Sequence, residues 1–125
     1  MSNERAWIMR SAGALLAVFA ACTCRAQDAS AGKAVFAQCS VCHSVDGSSS
    51  VGPSLKGIVG RKAGSATGFR YSRGMRNSNL VWDAATLDRY LADPQGAIPG
   101  NLMPFAGLAD KRARADLIAY LASLK

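Results

Sequence analysis

The six residues QCSVCH, 38–43, hold Cys39, Cys42 and the single histidine of the chain, His43. Any fold built around them must place two thiols about one helical turn apart and an imidazole directly beside them. Few chemistries use that set. A disulfide between Cys39 and Cys42 closes so small a loop that it removes little entropy from the unfolded chain. A thioredoxin-like redox pair expects a βαβ pattern around its C-x-x-C, and here the flanking pattern is helical. A closed structural zinc site takes four Cys or His ligands.

The other two cysteines do not help. Cys22 and Cys24 follow an N-terminal segment with Arg5 and Arg10 and the apolar run SAGALLAVFAA. A basic start, a short apolar stretch and small residues spell a secretory signal peptide, which assigns 1–26 to the signal and 27–125 to the domain. The run is shorter than the roughly 20 apolar residues a spanning helix needs. FAAC, 19–22, also resembles a lipoprotein processing site. In that reading Cys22 carries lipid and tethers the domain to a membrane. After residue 26 the chain keeps twelve Lys and Arg against seven Asp, a net charge of +5. A mildly basic exported domain suits an acidic partner surface or an anionic membrane. Without clustered basic and aromatic residues it does not suit nucleic acid.

With three Cys and His left, C-x-x-C-H reads as the attachment site of a c-type haem, one per chain. The two thiols add to the porphyrin vinyl groups, and the adjacent histidine is placed to ligate the iron. A macrocycle at the centre also supplies the staple that so small a domain needs.

The rest of the chain fits an all-α domain with long loops. Asp28 or Ser30 caps a helix expected over about 30–42. Residues 44–55 form a loop, and 55–79 form a long glycine-rich wrap with at most a turn of helix at 56–60. Asp83 caps a helix carrying Leu87, Tyr90 and Leu91 on one face, with Pro94 as its stop. Residues 95–109 are loop. Asp110 caps the last helix, with Ala113, Leu117, Tyr120, Leu121 and Leu124 on one stripe.

An electron carrier needs both axial positions of the iron filled. No second histidine exists, which leaves methionine, lysine or an open position. Met103 lies between Pro99-Gly100 and Pro104, in a stiff loop that can hold a sulfur at one point. Met75 lies in glycine- and arginine-rich coil with no evident support. Met103 is the expected ligand, and Met/His ligation raises a haem potential.

Taken together, GKAVF (32–36), CSVCH (39–43), GPSL (52–55), GRKAG (60–64), GFRYS (68–72), Trp82, LDRYL (87–91), Pro94, PGNLM (99–103), FAG (105–107) and RADLIAYL (114–121) resemble the class I cytochromes c, of the mitochondrial and related bacterial type. The resemblance implies a small helical fold, with terminal helices crossing and loops wrapping a covalent haem. It implies that Gly32 and Phe36 meet Leu117 and Tyr120 at that crossing. It implies His43 and Met103 as axial ligands, with the Pro53 carbonyl accepting the His43 ring N–H. Tyr71 and Trp82 would donate to a haem propionate, Arg61 would offset its charge, and Tyr90 would lie beside the Met103 sulfur. The implied role is a monomeric periplasmic one-electron carrier rather than an enzyme. It would link a donor dehydrogenase or quinol-oxidising complex to a terminal oxidase or reductase. A dedicated subunit of one dehydrogenase is the second reading, and a haem peroxidase or gas sensor the third. Two departures stand out. Gln38, Gln95, Gly96, Leu102 and Ala109 occupy positions that are lysines in mitochondrial members. Met75 and Asn101 stand where the family often has asparagine and threonine.

Overall fold

A computed structural model describes residues 26–125, so the expected signal segment, apart from Ala26, and the lipidation site at Cys22 lie outside the described residues. Five helices follow one another: α1 (Ala29–Phe36), α2 (Arg73–Asn77), α3 (Ala84–Ala92), α4 (Pro94–Ala97) and α5 (Lys111–Ser123). Among the described residues the only β pairing is an isolated antiparallel bridge between Lys62 and Val81. The all-α reading holds.

The caps are where the sequence places them. The Asp28 carboxylate accepts from Ser30 N–H and Ala31 N–H, Asp83 from Thr86 N–H, and Asp110 from Arg112 N–H and Ala113 N–H. Each satisfies amides that the first turn leaves without a helical partner. Three expectations change. The first helix ends at Phe36 rather than near 42, and residues 37–42 continue as turns. There the Ser40 hydroxyl donates to the Ala37 carbonyl at 2.7 Å and Gln38 Nε2 to the Val35 carbonyl at 3.3 Å. Side chains thus compete for the carbonyls a regular helix would use. The 55–79 wrap contains α2, capped by the Ser72 hydroxyl on Met75 N–H at 3.1 Å. Pro94 ends α3 but also begins α4, where its missing N–H costs nothing.

Helices α1 and α5 cross at Gly32. A Cβ there would sit 2.8 Å from Tyr120 Cβ and would collide with the Asp116 carbonyl. Only a bare backbone permits the approach. Phe36 packs on Tyr120 with ring centroids 5.3 Å apart. Asp28 N–H donates to Asp116 Oδ1 at 2.8 Å, which ties the start of α1 to α5. The buried Arg114 secures the other side of α5. Its guanidinium pairs with Asp88 on α3 at 2.7 Å and donates to the carbonyls of Leu108 and Ala109. A buried charge is tolerable when it is paired and hydrogen-bonded in this way.

Candidate haem-binding site

The helices and the wrap enclose a cavity of about 550 Å³. Cys39, Cys42, His43, Pro53, Arg61, Tyr71, Trp82, Tyr90 and Met103 all line it. The nine residues singled out from the sequence thus converge on one space from segments far apart in the chain.

Its wall is mainly apolar. Phe36, Ile58, Leu87, Leu91, Leu117 and Leu121 line it and also belong to the buried core. Among the lining residues the formal charges are the guanidiniums of Arg61 and Arg70, with no carboxylate. Such a space suits a large apolar ligand bearing anionic groups.

Both thiols are free and partly buried. Burial pushes the Cys39 thiol up from its ordinary pKa. The turns of 37–42 bring the thiols to one wall, because Cys42 N–H and His43 N–H both donate to the Cys39 carbonyl, at 3.1 and 2.9 Å. His43 Nδ1 lies 2.7 Å from the Pro53 carbonyl oxygen. A carbonyl only accepts, so Nδ1 carries a proton, which in the neutral imidazole leaves the lone pair on Nε2. That is the tautomer a metal ligand needs. Gly52 makes room for the ring, since a Cβ there would lie 2.6 Å from His43 Cε1.

Tyr90 is buried, and burial pushes its phenol up to about 12. Its hydroxyl lies 3.3 Å from Asn101 Oδ1 and 3.9 Å from Met103 Sδ. Its ring packs on Trp82 at a centroid distance of 4.9 Å. Arg61 donates to the carbonyls of Ser54 and Lys56, at 2.7 and 3.2 Å, which aims the guanidinium from the wrap. Burial raises the Tyr71 pKa, while a hydrogen bond involving the Ala66 backbone and the nearby Arg61 charge oppose the rise.

Met75 corrects the reading of that segment as unsupported coil. It sits in α2, is buried, and lines the same cavity. Phe69 and Arg70 line it as well, two positions that no local feature of the sequence singles out. Five residues are too few to show helical periodicity, and Gly74 lowers the local helix preference. Gly74 is there because the Pro99 carbonyl packs where its Cβ would be.

The donor set fits a covalently held haem: two free thiols on one turn, an imidazole in the ligating tautomer, a thioether, and cations without carboxylates. The family model described as Cytochrome c matches residues 29–125. The chain belongs to the cytochrome c family. Cytochrome c2 of Rhodomicrobium vannielii is 48% identical over 85% of this chain and 86% of its own length. Cytochrome c2 iso-2 of Magnetospirillum fulvum is 54% identical over 71% of this chain and 94% of its own. Among solved structures, cytochrome cH of Methylobacterium extorquens superposes with a TM-score of 0.75 at 45% identity, over 77% of this chain and 98% of its own. Ferricytochrome c2 of Rhodopseudomonas palustris gives 0.73 at 45% identity, over 78% and 99%. As a cytochrome c the chain carries haem c and serves as a c2-like electron carrier, not an enzyme. No described helix of this cytochrome c is long and apolar enough to cross a membrane.

Proposed function

We propose that this cytochrome c is a monomeric, exported one-electron carrier of the periplasm with His43 and Met103 as axial ligands. It takes electrons from a dehydrogenase or quinol-oxidising complex and passes them to a terminal oxidase or reductase. The bound haem supplies an iron that alternates between ferrous and ferric states, gaining and losing one electron. The chain supplies everything that tunes and shields it. Cys39 and Cys42 would hold the ring by thioether links, and the Pro53 carbonyl keeps His43 in its ligating tautomer. Met103 offers a soft sulfur that favours the ferrous state. Tyr71 and Trp82 would donate to a propionate, with Arg61 offsetting its charge, and Tyr90 borders the Met103 sulfur. The basic and apolar pattern of residues 1–26 supports export, either by cleavage or by lipidation at Cys22.

The observation that carries this reading is the 2.7 Å contact of His43 Nδ1 with the Pro53 carbonyl, in a cavity that Met103 also lines. The test is the visible spectrum of the oxidised haem-loaded protein. A far-red sulfur-to-iron charge-transfer band is expected at neutral pH. Met103→Ala should abolish it, lower the potential and let the reduced protein bind carbon monoxide. A wild-type protein that lacks the band and binds carbon monoxide overturns the ligand pair.

One observation favours a fixed subunit of a single dehydrogenase as the second reading. Val51 and Leu102 line the cavity and are 73% and 79% exposed, so the rim carries apolar side chains rather than a lysine ring. Such a rim suits a partner held by contact rather than by charge steering. Stoichiometric co-purification with one enzyme would select this reading.

A further inference from the structure

Asn101 is buried, with 5% of its surface exposed, yet it sits in a loop. A buried amide has two N–H donors and an oxygen with two lone pairs, and each left unmatched is costly. Here all are matched. Nδ2 donates to the Pro94 carbonyl at 2.8 Å and to the Ile98 carbonyl at 3.0 Å. Oδ1 accepts from Met103 N–H at 3.0 Å and faces the Tyr90 hydroxyl at 3.3 Å. The orientation is unambiguous, because a flipped amide would set its oxygen against two carbonyls and its NH₂ against an N–H donor. The backbone of Asn101 is fixed as well. Its N–H donates to the Ile98 carbonyl at 3.2 Å, and its carbonyl accepts from Gln95 Nε2 at 2.9 Å.

This arrangement joins three parts of the molecule. The Pro94 and Ile98 carbonyls belong to α4 and its end, the Met103 amide to the loop that carries the thioether, and Tyr90 to α3. The Tyr90 hydroxyl has one hydrogen and two acceptors within reach, Asn101 Oδ1 and Met103 Sδ at 3.9 Å. An amide oxygen is the better acceptor, since a thioether accepts only weakly.

We propose that Asn101 is a positioning residue for Met103: it anchors the Met103 backbone to α4 and draws the Tyr90 hydroxyl away from the thioether. It sets where the sulfur stands and how much of its electron density a hydrogen bond withdraws. The sulfur's role as ligand belongs to the function proposed above. The anchoring of the backbone does not depend on it.

Amide hydrogen exchange on the haem-loaded protein tests the anchor directly. In the wild type, Met103 N–H should exchange at least tenfold more slowly than the N–H of exposed Leu102. Asn101→Leu should remove that protection while leaving Leu117 N–H in α5 unchanged. Asn101→Ser, which keeps one polar atom and strains the fold less, should lose part of it. Tyr90→Phe should keep it, because the Asn101 bonds to α4 and to Met103 survive. Two further readouts address the sulfur. The far-red band should vanish at a pH at least one unit lower in Asn101→Leu than in the wild type. Tyr90→Phe should shift the potential more in the Asn101→Leu background than in the wild type, since only there does the hydroxyl turn to the sulfur. A Met103 amide that exchanges as fast as that of Leu102 in the wild type, or at the wild-type rate in either Asn101 variant, overturns the proposal. A wild type without the far-red band overturns the ligand pair instead, and the exchange rates still decide the role of Asn101.

Discussion

His43 Nδ1 donates to the carbonyl of Pro53, and the neighbouring Gly52 has no side chain because the same imidazole occupies the space. One short segment thus fixes both the tautomer and the tilt of the ring. Gly52→Ala would force a methyl to 2.6 Å from Cε1 and 2.8 Å from Nδ1. The ring must turn or the segment must shift. The expected cost is about 1–3 kcal/mol of stability, as for other overpacked sites. A weakened His43–iron bond should accompany it. Denaturant unfolding of the loaded protein, with the hyperfine-shifted NMR signals of the His43 ring in the oxidised form, checks both. A variant as stable as the wild type would show that the segment yields freely.

Burial of Tyr90 makes a prediction at alkaline pH. Its phenol is pushed up to about 12, whereas an exposed tyrosine titrates near 10. A pKa raised by folding contributes stability that is complete below about 10 and is lost as pH rises through about 12. That rise corresponds to roughly 2–3 kcal/mol. The wild type should lose about that much more stability than Tyr90→Phe between pH 9 and pH 12, read from denaturant midpoints. Parallel losses in both proteins would place the alkaline sensitivity elsewhere.

At the acid end the sign reverses. Asp46 is exposed, but the hydroxyl and backbone N–H of Ser48 donate to its carboxylate, at 2.7 and 2.8 Å, and hold its pKa at about 2. A depressed carboxyl contributes stability above about pH 4 and loses it as pH falls through about 2. The wild type should therefore be more stable than Asp46→Ala at pH 6, and the gap should close by pH 2. A gap that persists at pH 2 would mean that the aspartate acts through loop geometry rather than charge.

Much of the core is also the cavity wall: Phe36, Ile58, Met75, Trp82, Leu87, Leu91, Leu117 and Leu121 serve as both. A domain this small has little other apolar area to bury. A Cys39→Ser/Cys42→Ser chain purified without haem should accordingly show weak helical circular dichroism and no cooperative thermal transition. A sharp transition near that of the loaded protein would contradict this.

The parts of the molecule legible in the sequence were those written in local chemistry. Asp28, Asp83 and Asp110 announce three helix starts by their capping carboxylates. The Leu87, Tyr90 and Leu91 stripe announces a buried face. The adjacency of Cys39, Cys42 and His43 announces the haem. What was illegible depends on partners distant in the chain. Nothing local shows that Arg114 and Asp116 are buried, because Arg114 is neutralised by Asp88 and Asp116 is held by Arg112 and the Asp28 amide. Met75 looked unsupported because the neighbour of α2 is the Pro99 carbonyl, across the chain from it. Asn101 had only its departure from a common threonine to mark it, and its partners lie on α3, α4 and the Met103 loop.

The doubling of core and cavity wall bears on how much of this protein a cell keeps. A polypeptide that has not received its porphyrin exposes the faces that proteases prefer, whereas a loaded one closes over them. Its standing level should then follow the ligation machinery and the iron supply more closely than the rate of translation. Lowering either should deplete the protein even with its messenger unchanged.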